Sequence, residues 1–146
     1  MALTSKDVGV AGEHFFAFRA LEQGFDVSFP TGDKSKFDLV VGNGRELLRI
    51  QIKTANTLVK GRYNFQITAA QQRQYACDDF DILVLIVLPE RCTYIMPANI
   101  GTQVQSIGLA KRDNNNRFPS KWAAFLERWD YIYIETSGNM RAADAG

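Results

Sequence analysis

The stretch LLRIQIKT, residues 47–54, decides the fold of this chain. From Leu48 to Lys53, apolar and polar residues alternate strictly, which is the pattern of a strand with one buried face. An apolar segment, Phe37 to Val41, precedes it, and the Gly-Asn-Gly sequence at 42–44 between them is typical of a hairpin turn. We therefore predict that these two strands pair side by side.

Working outward from this pair, the remaining segments predict alternating helices and strands. A helix should begin at a cap, Ser5, and end at Gly24, with Val10, His14, Ala17 and Leu21 on its inward stripe. Further strands are predicted at 25–29, 63–67, 81–88, 92–96 and 131–134, and further helices at 69–77 and 119–128. This order predicts a mixed α/β domain whose helices cover a central sheet.

Composition excludes several classes of protein. The chain has 146 residues and a net charge of +1, which fits one domain and excludes a uniformly basic coat for nucleic acid. One histidine and two cysteines argue against a zinc site, a Ser-His-Asp triad and a disulfide scaffold. No apolar run is long enough to cross a bilayer, so we expect a cytoplasmic protein with reduced thiols and no membrane partner.

Side chains outside the chemistry are expected to pack in the interior. We interpret His14 as a partly buried structural histidine, and Cys77 and Cys92 as small buried side chains. The aromatic residues are assigned to the core, among them Phe15, Phe18, Phe29, Trp122 and Trp129.

Four residues form a candidate catalytic constellation: Glu13, Asp38, Gln51 and Lys53. Asp38 interrupts an apolar strand, where an unpaired carboxylate would be costly to bury. The hairpin could bring Asp38 next to Gln51 and Lys53. Carboxylate and amide oxygens suit Mg²⁺, and a lysine nearby could stabilise developing negative charge, so the set suits phosphodiester hydrolysis. By spacing alone, the same polar residues are also compatible with an ordinary solvent-facing strand.

The pattern of Gly12-Glu13, Asp38 in a strand and Gln51-Ile-Lys53 after a hairpin resembles the PD-(D/E)xK nuclease superfamily. The resemblance covers about residues 5–97 and implies a restriction-endonuclease-like αβββαβ core, with 98–140 as a C-terminal elaboration. The chain would then be a single nuclease domain over 1–146. Its likeness is greatest to group I intron-associated homing endonucleases, which are related to Holliday-junction resolvases.

The resemblance also implies roles for individual residues. Asp38, Gln51, Glu13 and the backbone carbonyl of Ile52 would hold Mg²⁺ or Mn²⁺, and Lys53 would be the motif lysine. The chain departs from the motif twice, because Phe37 replaces its proline and Gln51 replaces its second carboxylate. A neutral amide binds a cation more weakly than a carboxylate, which leaves a catalytically impaired DNA-binding module as one alternative. A structure-specific Holliday-junction resolvase is the other.

Basic and polar residues cluster in segments that could bind double-stranded DNA. We predict contacts from Lys34, Ser35, Lys36, Lys60, Arg62, Lys111, Arg112, Asn114, Arg117 and Lys121. The basic, asparagine-rich loop at 111–121 is the candidate for reading base edges, although such a loop is equally compatible with a solvated surface. Cutting both strands needs either two subunits or sequential nicking by one. The simpler arrangement is a homodimer or homotetramer, with apolar parts of 97–109 and 122–134 as contact surfaces.

Overall fold

The computed structural model describes residues 2–42, 44, 46–111 and 121–136. Its α-helices are α1 (Ser5–Glu22), α2 (Ala98–Gln103) and α3 (Trp129–Thr136). Its strands are β1 (Asp26–Ser28), β2 (Leu39–Gly42), β3 (Leu47–Ala55), β4 (Arg62–Gln66), β5 (Ile82–Val87), β6 (Cys92–Pro97) and β7 (Ser106–Ala110). Short 3₁₀ turns lie at Ala70–Gln72, Leu88–Glu90 and Lys121–Phe125.

A five-stranded mixed sheet forms the centre of the fold, in the order β1-β2-β3-β5-β6. The predicted hairpin is confirmed, since β2 pairs antiparallel with β3 and Leu39 lies opposite Ile50. β3 runs parallel to β5, with Gln51 opposite Leu83. The chain crosses over between these two strands, and in doing so it forms β4, which pairs with β7 in a separate two-stranded sheet.

Each face of the central sheet carries its own hydrophobic core. On one face, the apolar side of β3 packs with Phe16 of α1 and Trp129 of α3, whose rings stack 5.2 Å apart. On the other face, β5 and β6 pack against the two-stranded sheet through Tyr63 and Phe65. The predicted mixed α/β class is confirmed, although helices α1 and α3 cover one face of the sheet and the two-stranded sheet covers the other.

Helix α1 buries a different stripe from the one predicted. Its inward face consists of Gly12, Phe16, Ala17 and Ala20, and Thr4 rather than Ser5 caps its first turn. Three of these four residues are small, which lets the helix approach the sheet closely, while Val10, Phe18 and Leu21 are turned outward. His14 is exposed and lies 5.5 Å from the exposed ring of Phe29.

The interior assignments are therefore wrong at several positions. The side chains predicted inside but found exposed are Val10, His14, Phe18, Leu21, Phe29 and Cys77. Phe18 and Leu21 are each 59% exposed. Cys92 and Trp129 are buried as predicted.

Three predicted elements also differ from the structure. The helix at 69–77 is only a 3₁₀ turn, because Gln71 and Gln72 adopt positive φ values of 60° and 58°. The strand at 131–134 belongs to α3, because the apolar residues of this segment pack against α1 and the sheet rather than pairing with an edge. Of the helix predicted at 119–128, the described residues 121–128 contain only the 3₁₀ turn at Lys121–Phe125, and residues 119 and 120 lie outside the described part.

The described part of the C-terminal third contributes to both cores. Ile107, Leu109, Trp129 and Ile132 are 6% exposed or less, so these side chains cannot form the predicted contact surface between subunits. Among the described residues, no helix has both the length and the apolar character needed to cross a bilayer.

Candidate active site

The backbone places Asp38 at the mouth of the β2–β3 hairpin. Its amide donates to the Ile50 carbonyl at 2.8 Å, which extends the β2–β3 ladder by one bond. Its carboxylate turns back onto β3, where Oδ2 accepts from the Ile52 amide at 2.7 Å. Burial raises the pKa of Asp38, and this backbone bond and the charge on Lys53 offset only part of the effect. A carboxylate fixed in a partly desolvated site is suited to holding a cation.

Gln51 lies directly against Asp38. Its amide nitrogen Nε2 donates to Asp38 Oδ2 at 2.9 Å and to the Ile52 carbonyl at 3.3 Å. The side chain is only 9% exposed, so this geometry is enforced by packing as well as by hydrogen bonds. The predicted use of the Gln51 carbonyl oxygen as a ligand would require the amide group to turn over.

Glu13 reaches the same carboxylate from the helix. Burial raises the pKa of Glu13 to about 7, and the nearby charge of Asp38 and a hydrogen bond between the two side chains add to the shift. The approach depends on Gly12, since a Cβ there would lie 1.8 Å from Oγ1 of Thr54 on β3. The two carboxylates thus converge because α1 packs onto β3 without an intervening side chain.

Lys53 is held in place by two residues of the segment that connects β3 to β5. Its Nζ donates to the Thr68 carbonyl at 3.1 Å and lies 5.4 Å from the centre of the Tyr75 ring. Burial lowers the pKa of Lys53, while the charge on Asp38 acts in the opposite direction. Burial raises the pKa of Tyr75 to about 12, so its hydroxyl keeps its proton and remains a donor.

The donor set fits a hard divalent cation. Two carboxylates and two neutral oxygens, from Gln51 and Ile52, are ligand types that Mg²⁺ and Mn²⁺ accept. The Gln51 NH₂ group donates to oxygens of both Asp38 and Ile52. These two oxygens therefore already face a common point, which a cation could occupy in place of the NH₂ group. No three His, Cys, Asp or Glu side chains converge anywhere in the described ranges, so neutral oxygens would have to complete any such site.

Sequence comparison identifies the family of this chain. Residues 3–130 match the PD-(D/E)XK endonuclease family. The chain belongs to this family. It is also 30% identical to Protein 5.3 of Escherichia phage T7 over 82 residues, which cover 54% of this chain and 70% of that protein.

Two solved structures show the same architecture as this member of the PD-(D/E)XK endonuclease family. The bacterial homing endonuclease I-Ssp6803I superposes with a TM-score of 0.81 at 23% identity, covering 93% of this chain and 97% of that one. The Holliday junction resolvase Hjc of Archaeoglobus fulgidus gives a TM-score of 0.52 at 18% identity, covering 84% and 93% of the two chains. The restriction-endonuclease-like fold expected from the sequence is therefore confirmed.

The predicted DNA-binding residues fall into separate groups. Lys34, Ser35 and Lys36 line cavities beside the cluster, and Lys36 pairs with Asp79 at 3.4 Å. Asp79 itself is almost completely buried. This group therefore lies beside the cluster, with one of its two lysines already in an ion pair.

The other basic residues lie further from the site. Arg62 begins β4 opposite Ala110, so Lys60, Arg62 and Lys111 gather at one end of the two-stranded sheet. That end is about 13 Å from the end nearer Lys53, since Arg62 and Gln66 are four steps of ~3.3 Å apart. Lys121 lies over the Trp122 ring at 4.9 Å. Arg112, Asn114 and Arg117 lie outside the described residues.

Sequence reasoning missed three parts of this site. A glycine before the helix carboxylate was the visible signal for Gly12, but its close approach to Thr54 depends on tertiary packing. Thr68 contributes through its backbone carbonyl, for which no side-chain pattern exists. Tyr75 lies in a segment predicted to be helical, so its contact with Lys53 could not be expected.

The Gln51 amide provides a direct test of the proposed ligand set. Gln51→Glu removes two donated hydrogen bonds and places a third carboxylate beside Asp38 and Glu13. The metal-free protein should therefore lose about 1–3 kcal/mol of stability. Added Mg²⁺ should then raise the melting temperature more than in the wild type, because a carboxylate binds the cation more tightly. Thermal melts in EDTA and across a Mg²⁺ titration measure both effects.

A matched control is Gln66→Glu, since Gln66 is exposed on β4. It should change neither the melting temperature in EDTA nor the response to Mg²⁺. A weaker response to Mg²⁺ in Gln51→Glu than in wild type would show that Gln51 is not a ligand.

Proposed function

We propose that this chain is a divalent-metal-dependent endonuclease that hydrolyses double-stranded DNA at a specific site, in the manner of a homing enzyme. The observation that carries the proposal is the convergence of Asp38, Gln51 and Lys53 at the hairpin, with Glu13 supplied by α1. The bacterial homing endonuclease has the same fold over most of both chains, which supports this choice.

Each residue of the cluster has a distinct task in this proposal. Asp38, Glu13, Gln51 and the Ile52 carbonyl would hold Mg²⁺ or Mn²⁺. Such a cation polarises a phosphoryl oxygen and lowers the pKa of a bound water. Lys53, which Thr68 and the Tyr75 ring hold in place, presents a fixed positive charge to the negative charge that develops at phosphorus.

The proposal includes self-association, because one site cuts one strand. A homodimer or homotetramer with two-fold symmetry would present two sites to the two antiparallel strands. Sedimentation velocity with and without DNA tests this part. A protein that remains monomeric in both conditions would have to nick the strands in sequence. A cytoplasmic location, where DNA and Mg²⁺ are both present, also remains part of the proposal.

The test is cleavage of a pooled, randomised plasmid library and of a four-way junction. Parallel reactions contain Mg²⁺, Mn²⁺ or EDTA, and an Asp38→Asn protein serves as the control for contaminating nucleases. We expect a few library sequences to be cut in Mg²⁺ or Mn²⁺ and none in EDTA.

The pattern of substrates separates the alternatives. Cutting of junctions with unrelated sequences, without library cleavage, would indicate a resolvase instead. DNA binding without cleavage of either substrate in both metals would favour a module impaired by Gln51. Equal cutting by wild type and Asp38→Asn would place the activity outside this site.

A further inference from the structure

A cavity of about 320 Å³ lies against the catalytic cluster and shares only Gln51 with the residues that would hold a metal. Its walls include Lys34, Ser35, Gln51, Arg73 and Tyr75. Gln51 belongs to both places, so a group bound in the cavity would be adjacent to whatever binds at Asp38. The volume falls at the lower end of the range of small-ligand sites, about 300–1,000 Å³.

The charged groups around this cavity favour an anion. Lys34, Lys36 and Arg73 line it, against one acidic side chain, Asp33. Lys36 is already paired with Asp79. In the described part of the chain, the side chains of Lys34 and Arg73 form no ion pair, so two cations remain available. Arg73 is exposed and open to a ligand from solvent.

The loop that carries Arg73 has a strained backbone conformation. Gln71 and Gln72 are both in the left-handed region, where each residue that is not glycine costs about 1–2 kcal/mol. The strain is offset at the base of the loop, where the Ala69 amide donates to the Arg73 carbonyl at 2.8 Å. The side-chain nitrogen Nε2 of Gln74 also donates to the Val104 carbonyl at 2.9 Å, which connects the loop to the end of α2. A strained loop that is fastened at both ends keeps the Arg73 backbone at a defined position.

We propose that Arg73, together with Lys34, holds a backbone phosphate of DNA next to the phosphate that is cut. This inference rests on the proposed nuclease function and extends it to a residue outside the catalytic motif. A guanidinium suits this task because its planar array of donors matches phosphate oxygens. The contact carries no sequence information, and it fixes the register of the strand on the site.

The test is the salt dependence of DNA binding by Arg73→Gln. Both it and its control carry Asp38→Asn, so that binding can be measured in Mg²⁺ without cleavage. Fluorescence anisotropy with two duplexes of unrelated sequence gives the slope of log affinity against log salt. One lost phosphate contact should reduce that slope by about 0.9 on both duplexes. In the cleaving background, Arg73→Gln should raise KM more than it lowers kcat.

Arg91→Gln is the matched control. Arg91 is also an exposed arginine, but it follows β5 near the far end of β3, and its Nη1 donates to the Leu88 carbonyl at 2.8 Å. It should keep the full slope. Arg73→Lys, which retains the charge, should keep most of it.

Three outcomes would overturn the proposal in distinguishable ways. If Arg73→Gln binds with an unchanged slope while its parent binds DNA, the phosphate contact is wrong and the nuclease function stands. If affinity falls on one duplex only, Arg73 reads a base edge instead of a phosphate. If the parent binds no duplex and the wild type cuts none, the nuclease function fails and the phosphate contact fails with it.

Discussion

Replacing Asp38 by asparagine should lower metal-dependent DNA cleavage by on the order of 10³-fold while the chain stays folded. The loss follows because Asp38 contributes a carboxylate at the point where Gln51 and Ile52 also converge. Folding should survive because the asparagine carbonyl can still accept the Ile52 amide. Initial cleavage rates on a site returned by the library, compared at equal enzyme concentration, measure the effect.

The same substitution should change how stability depends on pH in EDTA. The pKa of Glu13 is raised to about 7, above its ordinary 4.5, by burial and by the charge of Asp38. A carboxyl whose folded pKa is raised destabilises the fold progressively as pH rises from about 4.5 to 7. Asp38→Asn removes the Asp38 part, so it should be more stable than wild type at pH 8 by on the order of 1 kcal/mol after solvent screening.

Asp33→Asn is the matched control for both measurements. Asp33 is exposed and lines the neighbouring cavities, one of them together with Glu13 and Asp38, but among the described residues no hydrogen bond or ion pair joins its side chain to the cluster. It should cut DNA within a few-fold of wild type and show the wild-type pH profile. Normal cleavage by Asp38→Asn would remove the basis of the proposed site.

The central strands could be predicted because their information is local. Alternation along β3 and the turn residues at 42–44 specify a hairpin without any long-range knowledge. The hairpin in turn brings Asp38 to Gln51, which is why the centre of the candidate site follows from the sequence. Glu13 could be named only from its likeness to the family motif, and in the structure its side chain forms a hydrogen bond with Asp38.

The parts that could not be predicted depend on packing between distant segments. The stripe of α1 that faces the sheet is selected by the close approach at Gly12, whereas hydrophobicity alone favours the stripe through Leu21. The segment at 69–77 has helix-forming residues, yet contacts such as those of Gln74 with α2 impose another shape. Tertiary contacts there override local propensity.

Gly12→Ala should destabilise the fold and impair the site together. A methyl group at this position would lie 1.8 Å from Oγ1 and 2.8 Å from Cβ of Thr54, so rotation of the threonine cannot remove the clash. Overpacking of this kind costs about 1–3 kcal/mol, which corresponds to a fall in melting temperature of roughly 2–4 °C per kcal/mol. Because α1 must shift outward, Glu13 moves with it, and a displacement of about 1 Å can lower the cleavage rate by about 10²-fold.

Gly9→Ala separates this effect from helix propensity. Gly9 lies one turn earlier in α1, and a Cβ there meets nothing within 4 Å. Alanine should therefore stabilise the helix by about 0.5–1 kcal/mol and leave cleavage unchanged. If Gly12→Ala melts and cuts like Gly9→Ala, the close contact with Thr54 is not required to position Glu13. If instead Gly12→Ala loses cleavage out of proportion to its stability, the packing of one glycine sets the geometry of the catalytic carboxylates.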